Sequence, residues 1–82
     1  MPVFQSKNIS NYLNLRGVKC PMNYIKIKLF LDKLMVNSQL YVVIDLGEAI
    51  ESVRQSIKID GYELLAHKEY NSYGILTIFK GE

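Results

Sequence analysis

The chain reads as a two-layer α/β (α+β) sandwich of order β-α-β-α-β-β, with a four-stranded mixed sheet and two helices on one face. Three observations carry this reading. Segments 21–35 and 48–59 space their apolar residues at a helical period. Segments 12–16, 40–46, 62–68 and 75–80 show the alternation or β-branched runs of strands. Glycines and polar turn residues stand between them at 17, 37–38, 47, 61 and 71–74. A right-handed strand–helix–strand crossover makes the first strand pair parallel, and the closing hairpin adds an antiparallel pair. The other sheet face is expected to stay partly open, or to be covered by the first residues of the chain or by a partner.

Each element has a local reason. Residues 1–11 are expected to form a flexible leader to a single domain over 12–82. YLNLR (12–16) alternates and is broken by Gly17. Pro21 suits the first turn of a helix, where its missing N–H costs nothing. On that helix Tyr24, Ile27, Phe30, Leu31, Leu34 and Met35 make one broad apolar stripe, the expected core face. Lys28 and Asp32 flank it on one side, Lys26 and Lys33 on the other. Between those charges lies a second apolar patch, Met22, Ile25 and Leu29, which a single-faced helix does not need. LYVVIDL (40–46) has the β-branched run of a central strand buried on both faces. In the second helix, Glu48 and Glu51 complement the N-terminal dipole, Lys58 stands in the last turn, and Gly61 is a C-terminal cap. Asn71, Ser72 and Gly74 mark the hairpin loop.

Composition bounds the function. At 82 residues the chain fits one small domain, 49% apolar and 22% charged. One cysteine excludes an internal disulfide and a multi-cysteine zinc site, and one histidine argues against a private transition-metal site. No metal and no cofactor is expected. No apolar run is long enough to span a membrane, and residues 1–10 lack a signal-peptide core, so the expected location is cytoplasmic and reducing. Net charge is +2, but it is unevenly spread. Residues 1–35 carry six basic side chains against one acid, residues 36–82 four against seven. The basic half surrounds the cysteine.

That cysteine, Cys20, precedes Pro21 at a strand–helix junction, with Arg16 and Lys19 upstream. As the N-cap of the first helix it would sit where free N–H groups and the dipole favour an anion, by roughly 0.3–1 kcal/mol at a surface. Arg16 and Lys19 would add to this if their side chains turn inward. The result is a competent but modest nucleophile. His67, on a distant strand, is not placed to act as its base.

The stretch LNLRGVKCPMNYIKIKLFLDKL (13–34) resembles the signature of the TusA/SirA-like sulfur-carrier family, a Leu-Asp-x-x-Gly-Leu-x-Cys-Pro-x-Pro run opening the first helix. Leu13, Gly17, Cys20 and Pro21 match it. Val18 replaces a leucine, Asn14 an aspartate, and Asn23 the second proline. VVID (42–45), DGYELL (60–65) and the closing hairpin also fit, so the resemblance spans about residues 12–80. It implies a sulfurtransferase-like carrier that holds sulfane sulfur as a persulfide on Cys20. Pro21 would fix the helix start so that the persulfide points outward. A cysteine desulfurase or rhodanese-type protein would supply the sulfur. A second protein would accept it, for tRNA thiolation, molybdenum-cofactor or other sulfur metabolism. Gly17, Arg16 and Lys19 would support the site. Asn23 would hydrogen-bond the outer sulfur or a helix N–H, or else stand exposed in the first turn. Met22, Ile25, Lys26, Leu29 and Lys33 form the expected docking surface of a monomeric carrier. Two other readings compete: a non-catalytic interaction or regulatory module of the same fold, and a small RNA-binding domain. The second lacks an Arg-rich tract or an aromatic RNA-binding motif, so no direct nucleic-acid contact is expected.

Overall fold

A computed structural model describes residues 11–81. The order is β1 (Asn11–Asn14), α1 (Met22–Lys33), β2 (Ser38–Ile44), α2 (Glu48–Ile59), β3 (Glu63–Glu69) and β4 (Gly74–Lys80). The strands form one sheet in the order β1-β2-β4-β3. β1 runs parallel to β2, with Tyr12 opposite Tyr41, whereas β2–β4 and β4–β3 are antiparallel. The expected mixed sheet is present, with the hairpin folded back so that β4 lies inside and β3 forms the far edge.

Both helices lie on one face. Leu40, Val42 and Ile44 of β2 and Leu76 and Ile78 of β4 share that face. They form one buried cluster with Leu15, with Ile27 and Leu31 of α1, and with Ile50, Val53 and Ile57 of α2. Each such side chain contributes roughly 1.5–3 kcal/mol on leaving water. Val43, on the opposite face, is also buried, as a central strand requires. Gly74 lies so close beneath α2 that an added Cβ would stand 2.5 Å from Ile50 Cδ1.

The element ends show where local signals operate. α2 spans the expected 48–59 and closes on a Schellman motif. The Tyr62 N–H donates to Ile57 O, the Gly61 N–H to Lys58 O, and Gly61 takes φ +88°. α1 is shorter than the stripe suggested. It stops at Lys33, and Lys80 reaches over from β4, its ammonium donating to the carbonyls of Leu31 and Leu34. Met35, expected in the core, is therefore outside the helix and 79% exposed. Tyr24, Phe30 and Leu34 border the core rather than enter it.

Two links hold the helices in register. The Tyr24 hydroxyl donates to Asp60 Oδ2 at 2.6 Å, and Lys28 Nζ lies 3.4 Å from the same oxygen. The Tyr24 hydroxyl hydrogen bond, then Lys28, holds the Asp60 carboxyl below the ordinary aspartate range. Burial, followed by the bond to Asp60, pushes the Tyr24 hydroxyl well above the usual tyrosine range.

Candidate functional site

Cys20 lies beyond the carboxyl ends of the parallel pair β1–β2, where crevices form in α/β sheets. Leu15 extends the pairing, its N–H donating to Val43 O at 2.7 Å, and the chain then turns at Gly17, φ +85°. The Gly17 N–H donates to Asp45 Oδ2 at 2.8 Å, so the loop after β2 anchors the loop after β1. That bond and the left-handed turn fix where residues 18–20 emerge. The Cys20–Pro21 peptide bond is cis.

The thiol is free and exposed. It borders a depression of about 410 Å³ lined by Gly17, Val18, Lys19, Asp45, Glu48 and Ala49. Its sulfur lies 3.7 Å from the hydroxyl of Ser52 on α2. An exposed thiol opening onto a shallow, polar-rimmed depression can be reached by a group carried on another protein.

Several expectations for this site change. The N-cap of α1 is Pro21 and the helix begins at Met22, so Cys20 stands one residue outside the cap. Two donors of the first turn are also engaged: the Asn23 N–H bonds Lys19 O at 3.0 Å and the Tyr24 N–H bonds Asn23 Oδ1 at 2.6 Å. Arg16 turns away from the sulfur. Its N–H and Nε donate to Asn14 Oδ1, and its guanidinium lies 5.6 Å from the Tyr73 ring centroid. Lys19 alone of the two cations lines the depression. Asn23 is fully buried rather than exposed in the first turn. Its Oδ1 accepts the expected helix N–H, while its Nδ2 has no partner among the described residues.

Sequence reasoning placed Asp45 in the central strand segment 40–46 and Glu48 in the first turn of the second helix, but did not connect either to the cysteine. Ser52 was missed altogether. Its position on α2 was legible, but the packing of the 15–20 loop against that helix was not. His67 stands on β3, three strand spacings of about 4.8 Å from β1, with its Nε2 2.9 Å from Glu69 Oε2. It is not among the residues that line the depression beside the thiol. Among the described residues no cluster of His, Cys, Asp and Glu could hold a metal ion, and no helix is long and apolar enough to cross a membrane.

The helix patch is exposed: Met22 by 49%, Ile25 by 42% and Leu29 by 58%. Neither α2 nor another described element covers it. Farther along α1, Lys26, Leu29 and Lys33 border a groove against β1.

Known proteins resemble this chain in sequence and in fold. A protein of Archaeoglobus fulgidus, provisionally named a sulfur carrier, is 35% identical over 54 residues, covering 66% of this chain and 61% of that protein. The chain thus spans about three-fifths of that relative's length. The crystal structure of a SirA-like protein from Desulfitobacterium hafniense superposes with a TM-score of 0.72 at 22% identity, covering 87% of this chain and 97% of that one. It shows the same α+β fold. The family model described as sulfurtransferase TusA matches residues 11–80, which is nearly all of the chain. On that match, the chain belongs to the TusA sulfurtransferase family.

Proposed function

We propose that this protein is a sulfur carrier and that Cys20 is its carrier residue. The observation that carries the reading is the exposed, free thiol at the rim of the depression, held there by the Gly17–Asp45 bond. The Cys20 thiolate attacks the outer sulfur of a donor persulfide. A new S–S bond forms to Cys20 while the donor S–S bond breaks. The electron pair leaves on the donor thiolate, so the step needs no external oxidant or reductant. In the second half an acceptor thiolate attacks the same sulfur, and Cys20 departs as thiolate.

The residues around it have separate parts in this reading. Gly17 and Pro21 shape the approach to α1, and Lys19 offers positive charge beside the sulfur. Arg16 secures the loop through Asn14 and Tyr73, and Asn23 holds the first turn from within. Donor and acceptor dock on the α1 face carrying Met22, Ile25, Lys26, Leu29 and Lys33. The donor is a cysteine desulfurase or rhodanese-type protein and the acceptor a protein of a sulfur relay, in the cytoplasm.

Incubation with a desulfurase and cysteine should add one sulfur, about 32 Da, to the wild type and none to Cys20→Ser. Absence of any adduct with desulfurase, rhodanese or inorganic polysulfide donors would reject the carrier role.

A further inference from the structure

The groove beside α1 has a composition that specifies an occupant. It measures about 450 Å³ and lies between the edge strand β1 and the C-terminal half of α1. Leu13, Leu29, Phe30 and Leu34 provide its apolar wall, and Lys26 and Lys33 stand along the helix side. No acid lines it. Neither lysine has an ion-pair partner among the described residues, although Lys28 on the neighbouring face is paired with Asp60. β1 pairs only with β2 among the described strands, which leaves its outer edge able to accept another strand.

We propose that this groove binds an extended acidic segment of a partner protein, added as a strand to the free edge of β1. The proposal rests on the reading of α1 as the docking face and supplies the partner's chemistry. A segment on the edge sends alternate side chains toward the helix layer. Lys26 and Lys33 are seven residues apart, about 10.5 Å along the helix. Acids at i and i+4 of a strand lie about 13 Å apart, and the flexible lysine stems span the difference. The residue at i+2 then falls on the wall formed by Leu13, Leu29, Phe30 and Leu34. The pattern is acid-x-apolar-x-acid. Residues 1–10 contain Lys7 and no acid, and a second copy would bring the same two lysines, so neither matches the groove's charge.

The test uses the full chain and a fluorescein-labelled peptide, Ser-Glu-Thr-Leu-Thr-Glu-Ser. Two control peptides replace both glutamates by lysine or both threonines by proline. The expected result is saturable binding by the acidic peptide, about tenfold weaker for the lysine version, since two exposed attractions become repulsions. The proline version, which loses two backbone donors and is disfavoured as an added strand, should also lose at least tenfold. Lys26→Glu/Lys33→Glu should reverse the charge preference. Amide shifts on binding should map to residues 11–14. No saturable binding up to about 1 mM, equal binding of the charge-swapped peptides, or shifts confined to another surface would overturn the proposal. Loading of wild-type Cys20 by polysulfide, measured on the same sample, separates the two ideas. Loading without peptide binding removes only the groove's assignment. Binding without loading removes only the carrier role.

Discussion

The Cys20 sulfur and the Ser52 hydroxyl lie 3.7 Å apart, although 32 residues separate them in the chain. The contact spans the two connections that follow the parallel strands. It gives the thiolate a hydrogen-bond donor from α2, whereas the Asn23 and Tyr24 N–H groups of α1 are already bonded. Ser52→Ala should slow iodoacetamide alkylation of Cys20 by about two- to tenfold at neutral pH, as loss of a long hydrogen bond to a charged acceptor predicts. The rate is measured by mass spectrometry, with the fold checked by circular dichroism. An unchanged rate would show that the hydroxyl does not assist the sulfur.

Asp60 makes the interhelical link sensitive to acid. Its folded pKa is lowered, chiefly by the Tyr24 hydroxyl. The unfolded chain therefore binds the proton more readily. This contribution to stability is present above the unfolded aspartate value near 3.9 and is lost as pH falls through the lower folded value. Glu51, lowered first by its hydrogen bond from Arg54, acts in the same direction. Urea midpoints should fall below about pH 4, and Asp60→Asn should flatten that fall. A wild-type and Asp60→Asn pair with parallel pH profiles would contradict the link.

Gly74 is required by packing rather than by backbone angle. A Cβ there meets Ile50 Cδ1 at 2.5 Å and the Lys68 carbonyl at 3.1 Å. Ile50 is buried and has little room to move. Gly74→Ala should cost about 1–3 kcal/mol in urea unfolding, the usual range for overpacking. Gly74→Ala with Ile50→Val should recover part of the loss.

Asn23 tests the value of a buried amide. Its Nδ2, without a partner among the described residues, costs about 1–3 kcal/mol, and its bond from the Tyr24 N–H returns about 0.5–1.5. An apolar side chain of similar size would remove that orphan but leave the Tyr24 N–H without its acceptor, a penalty of the same order, so the two effects nearly cancel. Asn23→Leu should therefore change stability by less than about 1 kcal/mol in either direction. A loss of more than about 1 kcal/mol in urea unfolding would mean that Nδ2 is partnered.

The elements whose signals are local were legible in the chain. α2 begins and ends where its acids, its apolar spacing and Gly61 place it, since the cap forms between residues only a few positions apart. β2 is the buried central strand that its β-branched run implies. α1 was less well read at both ends. Pro21 became the cap rather than the first helical residue, and Lys80 closes the other end from the distant β4, so Met35 was left outside. Asn23 was misread because a polar residue in a first turn ordinarily faces water, whereas the approach of α1 to the sheet leaves this one no water to face.

Sequence alone therefore determined the two-layer α+β class, the order of its elements and the singling out of Cys20. Each depends on residue type and short-range spacing, which the chain carries directly. Tertiary structure decided the β1-β2-β4-β3 order, the Gly17–Asp45 anchor, the approach of Ser52 to the sulfur, the turning of Arg16 to Tyr73 and the groove between β1 and α1. Those depend on which distant surfaces pack together, and that is settled by the shared burial of the core rather than by any local pattern.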